Sequence, residues 1–187
     1  LVADLHLGKA QSFRRLGVPV PSGTTAESLA RLDAAVAATG ATGIAFLGDL
    51  IHSARSKSPA TWDAVAAWRA RHPGLALTLV RGNHDRHAGD PPPEWGIDCV
   101  EEPHRVGPFA LAHHPEPVAG AYVLAGHLHP VAWLGGRAHD ALRLPCFHFG
   151  ATVGVLPAFG AFTGGHALRR APGDRVYAVH DGGVAAL

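Results

Sequence analysis

Five short clusters of acidic, amide and imidazole side chains punctuate this chain. They are Asp4-Leu5-His6, Gly48-Asp49, Gly82-Asn83-His84-Asp85, His113-His114-Pro115 and Gly126-His127-Leu128-His129. Each alone is weak, because a lone His or Asp at a strand end usually satisfies a turn. Five in order, using the only asparagine of the chain, point to a metal site. In a strand, residues i and i+2 face the same side, so Asp4 with His6, and His127 with His129, each present two donors to one cavity. Gly48, Gly82 and Gly126 let backbone come close to such a crowded place. The donors are carboxylate, carboxamide and imidazole, with no thiolate. That set suits Mn²⁺, Fe or Zn²⁺ in a reactive centre more than a structural zinc site, which usually wants cysteine.

Each cluster stands where an apolar run gives out. Val2 and Ala3 lead into Asp4, and the chain holds no methionine, so it reads as opening on the tail of a strand whose first residues are missing. Residues 9–23 are predicted as a loop, since Pro19, Pro21 and Gly23 block regular structure. Thr24 or Thr25 is predicted to cap a helix carrying Leu29, Leu32, Ala35 and Val36 at helical spacing, ended by Gly40. Residues 44–47 form a continuous apolar run suited to a buried parallel strand. Ser58 before Pro59 opens a second helix through Trp62, Val65 and Trp68, closed at His72-Pro73-Gly74. Residues 75–80 are a third strand. The β-α-β-α-β order puts every polar cluster of this half at the carboxyl edge of a sheet, where open α/β folds bind ligands. Beyond Pro91-Pro92-Pro93, short strand-like runs at 97–100, 109–112, 122–125, 131–134 and 175–179 suggest a further sheet packed on the first.

The bulk properties narrow the class. At 187 residues, 47% hydrophobic and 17% charged, the chain has ample apolar surface for one core and is no disordered linker. One domain spanning 1–187 is expected. No apolar stretch approaches the roughly 18 residues of a membrane span, and no signal peptide opens the chain, so no membrane partner is expected. The formal net charge of +1 is far below that of a protein holding nucleic acid by charge alone. Two cysteines are too few for a disulfide framework, and a reducing cytoplasm is the expected location.

At the five clusters the sequence resembles the calcineurin-like metallophosphoesterases, whose pattern runs D-x-H, G-D, G-N-H-D/E, a lone His, then G-H-x-H. Asp4-Leu5-His6-Leu7-Gly8-Lys9, residues 13–23 (FRRLGVPVPSG), 47–53 (LGDLIHS) and 156–165 (LPAFGAFTGG) further resemble the bacterial DNA-ligase-associated metallophosphoesterases, also called ligase-associated DNA damage response endonucleases. The resemblance implies an α/β fold, a four-layer α-β-β-α sandwich with two mixed sheets. It also implies two divalent metal ions, Mn²⁺ first and Fe or Zn²⁺ as the other candidates. Carried over by residue, Asp4, His6, Asp49 and His129 would hold one ion. Asp49 would bridge to a second, held also by Asn83, His113 and His127. His113 is preferred to His114 because the family ligand often stands two residues before a proline.

The implied reaction is hydrolysis of a phosphodiester by a metal-activated hydroxide, with DNA as the substrate and a DNA ligase and helicase as functional associates. His84 is the expected general acid for the leaving oxygen, and Asp85 is expected to accept a hydrogen bond from its other ring nitrogen. Lys9, Arg14, Arg15 and His52 are candidate substrate contacts. The alternatives are a nucleotide or other small-molecule phosphodiesterase or pyrophosphatase of the same superfamily, and a metal-free binding scaffold. Arg81 reads as structural, Trp62 and Trp68 as core, and Cys99 and Cys146 as buried thiols. Phe159 and Phe162 read as packing, and His72, His87, His104, His139, His148, His166 and His180 as uninvolved.

Overall fold

The computed structural model describes residues 1–21, 23–135, 141–181 and 183–187. The first half supplies α1 (Lys9–Arg15), α2 (Thr24–Thr39), β1 (Gly43–Leu47), α3 (Pro59–Arg71), β2 (Ala76–Val80) and α4 (Asn83–Ala88). After α4 come β3 (Ile97–Val100), β4 (His104–Val106), β5 (Phe109–Leu111), β6 (Tyr122–Ala125), β7 (Pro130–Gly135) and β8 (Ala141–Phe149). The last strands are β9 (Val153–Val155), β10 (His166–Ala167), β11 (Arg175–His180) and β12 (Gly183–Ala186). The architecture is the expected α/β sandwich of two sheets.

Helix boundaries follow local chemistry. In α3, Pro59 occupies the first turn and the Ser58 hydroxyl accepts a hydrogen bond from the Thr61 N–H at 3.2 Å. Helix α2 lies between the cap residues Gly23 and Gly40, and the predicted threonine cap is not formed. Gly23 takes the N-cap position, and Thr25 Oγ1 instead accepts from the Gly8 N–H at 3.4 Å. The predicted loop at 9–23 begins with α1 instead, because Pro19, Pro21 and Gly23 all lie past its last residue, Arg15.

Strands β1, β2 and β3 form a parallel sheet in register, pairing Leu47 with Val80 and Val80 with Val100. Residues 97–100, expected in the second sheet, therefore belong to the first. The N-terminal segment lies alongside through a bridge of Val2 to Phe46 and backbone bonds from His6 N–H to Asp49 O (2.8 Å) and Leu7 N–H to Leu50 O (2.8 Å). The second sheet is mixed and ordered β10-β7-β8-β9-β6-β5-β4, with the β11–β12 hairpin joined at β8. Within it β5, β6 and β9 are parallel, pairing Leu111 with Leu124 and Ala125 with Val155. A bridge from Ala3 to Ala158 ties the two sheets at the N-terminal segment.

Three apolar layers hold this together. Leu29, Leu32, Val65 and Trp68 of the helices bury against Phe46, Leu77 and Leu79, with Trp95 closing the edge. Trp62 packs on Trp95 at 4.9 Å between ring centroids. Between the sheets Ala3, Leu47 and Val80 meet Leu111 and Leu156. Across β5 and β6, Ala110, Ala112, Val123 and Ala125 pack with Val118 and Ala121 of the preceding loop. No helix follows Trp95 among the described residues, so this loop lies where the outer helical layer was expected. Full burial of each large side chain contributes about 1.5–3 kcal/mol. No described helix is long and apolar enough to cross a membrane.

Candidate metal centre

Register brings the five clusters to one place. Parallel pairing puts the ends of β1 and β2 side by side, so Asp49 and Asn83 emerge from adjacent strand ends. The ends of β5 and β6 do the same for His113 and His127, and the bridged N-terminal segment delivers Asp4 and His6.

Asp4 is fully buried. Its Oδ2 accepts from the His127 N–H at 2.9 Å, while Oδ1 has no hydrogen-bond partner and lies 3.4 Å from His129 Nε2. The Nε2 atoms of His6 and His129 face each other at 3.4 Å. Asp49 sits between the two halves of the cluster: Oδ1 is 3.5 Å from His113 Nε2 and Oδ2 is 3.9 Å from His6 Nε2.

The His113 tautomer is fixed by its partner. Only a donor satisfies a carbonyl, so Nδ1–H donates to Leu47 O at 3.0 Å. The lone pair on Nε2 then points at Asn83 Oδ1 (2.9 Å) and at His127 Nδ1 (3.0 Å). Two or three acceptors converging at such distances repel one another unless a cation sits among them. Together with the orphaned Asp4 Oδ1, this is the arrangement a metal ion requires, and the residues fit one.

Burial favours the metal-binding form of three imidazole donors. It holds the His6, His113 and His127 imidazoles below their ordinary value, with the neighbouring His113 adding to the effect at His127. Burial pushes the Asp49 carboxyl up, against the His84 backbone hydrogen bond. The same burial lowers the Lys9 ammonium, which the carboxylates of Asp4 and Asp49 partly counter.

The backbone is strained where the donors stand. Among the described residues six non-glycines have positive φ, and five are Asp4 (53°), His6 (49°), Asp49 (53°), His127 (69°) and His129 (46°). Such conformations persist only where surroundings impose them, and they gather at functional sites. At Gly48 (φ 79°) a Cβ would run into the His113 ring, and at Gly82 into the Asp49 carboxylate.

Two assignments change on sight of the structure. Asp85 does not touch the His84 ring. It sits at the third position of α4, where its carboxylate accepts from the Gly82 and Ile51 N–H groups, each at 3.0 Å. The His84 ring is instead held by the backbone: Nδ1–H donates to His52 O at 2.6 Å, and its N–H donates to Asp49 Oδ1 at 2.9 Å. The His52 side chain stacks on His84 at 4.8 Å between centroids and buries an unpartnered Nδ1. Arg14 and Arg15 are exposed and donate to the carbonyls of Pro21 (3.0 Å) and Arg55 (2.9 Å), outside the cluster.

Glu102 gave no sequence signal. Its Oε2 accepts from the N–H groups of His113 (2.8 Å) and His114 (2.9 Å), and its Oε1 accepts from His114 Nδ1 (2.7 Å). That pins the turn so that His113 points inward, fully buried, while the His114 side chain is 37% exposed. Elsewhere Arg81 pairs with Asp90 (2.7 Å) and Glu101 (3.0 Å), His72 with Asp33 (2.6 Å), and His148 with Asp174 (2.7 Å). Cys146 is buried and Cys99 half-buried. His139 lies outside the described residues.

Two sheets with buried carboxylates and imidazoles gathered at their strand ends define a metallophosphoesterase-like protein. No protein-family model and no curated protein matches the sequence. Among solved structures, the nuclease MPE of Pseudomonas putida is 45% identical with a TM-score of 0.85, over 100% of this chain and 86% of its own. The chain belongs to the family of that nuclease. The phosphoesterase Yfce of E. coli is 13% identical with a TM-score of 0.46, over 96% of this chain and 86% of its own.

Proposed function

We propose that the protein is a metal-dependent phosphodiesterase that cleaves DNA. The observation that carries this is the convergence of Asp4, His6, Asp49, Asn83, His113, His127 and His129, with the acceptors His113 Nε2 and Asn83 Oδ1 only 2.9 Å apart and Asp4 Oδ1 buried without a partner. The 45% identity to a nuclease over the whole chain supports the substrate class. Asp4, His6, Asp49 and His129 would hold one divalent ion and Asp49, Asn83, His113 and His127 a second, with Mn²⁺ the first candidate and Fe or Zn²⁺ after it. Such ions, when bound, polarise a phosphate and lower the pKa of a water.

The chain's own groups do the rest. His84 keeps Nδ1–H on the His52 carbonyl, which leaves Nε2 as the atom that delivers a proton to the leaving oxygen. Asp49 fixes the same residue through its backbone N–H, so metal ligand and acid move as one body. Lys9, half-buried near Asp4 and Asp49, adds positive charge where a phosphate would dock. The resemblance to ligase-associated enzymes supports a role in DNA repair beside a ligase or helicase.

The test is hydrolysis of bis-p-nitrophenyl phosphate and of 5′-labelled single- and double-stranded DNA, with Mn²⁺ or EDTA, beside Asp49→Asn. Metal-dependent DNA cutting that the variant loses is the expected result. Cleavage of the small diester with DNA left intact would move the substrate to nucleotides. Inactivity on both with metal bound would overturn the proposal.

A further inference from the structure

All three parallel strands of the first sheet run toward the donor cluster. β1 leads to Asp49 and β2 to Asn83, while β3 runs straight into Glu101 and Glu102. The first two strands deliver donors, and the third delivers carboxylates that hold the segments around them. Glu102 Oε2 accepts the N–H groups of His113 (2.8 Å) and His114 (2.9 Å), and Oε1 accepts Nδ1–H of His114 (2.7 Å). Its side chain is only 18% exposed. One carboxylate thus takes three hydrogen bonds from two consecutive residues and holds their turn in one orientation.

That orientation decides which histidine is the donor. The His114 ring lies 4.6 Å from the His127 ring and 4.9 Å from the His113 ring between centroids. One ligand nitrogen from each of the three falls within 4.8 Å of the others, so nearness alone does not choose between His113 and His114. The tethers differ. Glu102 holds His114 by Nδ1 with its side chain 37% exposed. His113 is fully buried, gives Nδ1–H to Leu47 O (3.0 Å) and keeps Nε2 2.9 Å from Asn83 Oδ1.

The same acidic pair reaches the helix that carries Asn83. Arg86, three residues further on α4, is 2.7 Å from Glu101 Oε2 and 3.8 Å from Glu102 Oε1, and Arg81 holds Glu101 at 3.0 Å. Exposed ion pairs contribute little, so the weight falls on the hydrogen bonds of Glu102. We propose that Glu102 is the positioning residue of the second ion's site: it presents His113, and not His114, to the metal beside Asn83. This rests on the two-ion reading above and not on DNA as the substrate.

The test is equilibrium dialysis of metal-free protein against Mn²⁺ for wild type, Glu102→Ala, Glu102→Gln and His114→Ala. It is read by metal content and by the exchange-coupled signal of an Mn²⁺ pair in electron paramagnetic resonance. Wild type is expected to bind two ions and to give the coupled signal. In Glu102→Ala the first ion should bind as in wild type and the second about 10- to 100-fold more weakly, the usual effect of removing a partner that orients a ligand. Glu102→Gln should recover most of that loss, because an amide oxygen in the place of Oε2 still accepts both N–H groups. His114→Ala should bind both ions as wild type does. A glutamate that served the fold alone would lower Tm and leave the ratio of the two affinities unchanged. An unchanged ratio in Glu102→Ala, a second ion lost in His114→Ala, or a wild type that binds fewer than two ions would each overturn the proposal. Should Glu102→Ala not fold, Glu102→Asp, one methylene short of both N–H groups, takes its place with the same expected change in ratio. If the expected ratios are found and no DNA is cut, the nuclease reading falls and Glu102 keeps its role.

Discussion

The Nδ1 atom of His84 lies 2.6 Å from the carbonyl oxygen of His52, a contact across 32 residues of sequence that only a protonated Nδ1 can make. It fixes the tautomer, leaves Nε2 3.9 Å from Asp49 Oδ2 and replaces the carboxylate that sequence adjacency suggested. The residue proposed as general acid is therefore oriented by the loop after β1, the same loop that carries Asp49.

His84→Ala removes that acid and none of the metal donors. On DNA, whose leaving group is an alkoxide, turnover is expected to fall about 100-fold or more. The loss should be much smaller on bis-p-nitrophenyl phosphate, whose leaving phenolate needs little help. Metal content by equilibrium dialysis should match wild type. Equal losses on the two substrates would remove the acid role.

Asp85→Asn tests the corrected assignment. The carboxylate accepts from two buried N–H groups, and an amide can satisfy only one while turning its own donors on the other. Urea unfolding should show a cost of about 1–3 kcal/mol. Folded variant should keep far more DNA cleavage than His84→Ala does.

Gly48→Ala drives a methyl group into the His113 ring at a φ of 79°. The left-handed backbone alone costs about 1–2 kcal/mol for a residue with a Cβ. Melting in EDTA should drop, and the rise in Tm that Mn²⁺ gives the wild type should be lost or sharply reduced.

Acid should weaken the metal-free protein in part through His52. Burial first, then His84 and Lys9, hold its imidazole down to about 4. A group whose folded value is depressed contributes stability that is present above its ordinary 6.5 and is lost as pH falls toward 4, because the unfolded chain takes the proton first. Asp49 and Asp85, both pushed up by burial, work in the opposite direction at the acid end. The clean readout is therefore a difference. In EDTA, the Tm of His52→Phe should fall less than that of wild type between pH 7.5 and 5, and identical slopes would refute it.

How far the sequence carried depends on the kind of signal. Strands β1 and β2 were legible because a strand buried on both faces is a near-continuous apolar run, broken in β2 only by Thr78, and the donors followed because each stands where such a run stops. Strand β8 was missed since Pro145 and Arg143 interrupt its pattern, although neighbouring strands hold it on both sides. Helix α1 was lost to the prolines after it, whose blocking effect does not reach back past Arg15. Asp85 shows the deeper limit: beside His84 in sequence, it turns the other way because the third helical position reaches back to Gly82. Glu102 could not be found at all, since its partners come from a turn that only the fold brings near.

The left-handed backbone at five donor positions also sets fold durability against catalysis. Each such residue lifts the energy of the folded chain by about 1 kcal/mol over what glycine would cost there. A selection that asked only for resistance to heat would discard these residues, and His129, whose side chain is 17% exposed, would be an early loss. A hardened descendant of this protein, bred without a demand for activity, should come out with glycines where its donors stood: sturdier, and inert.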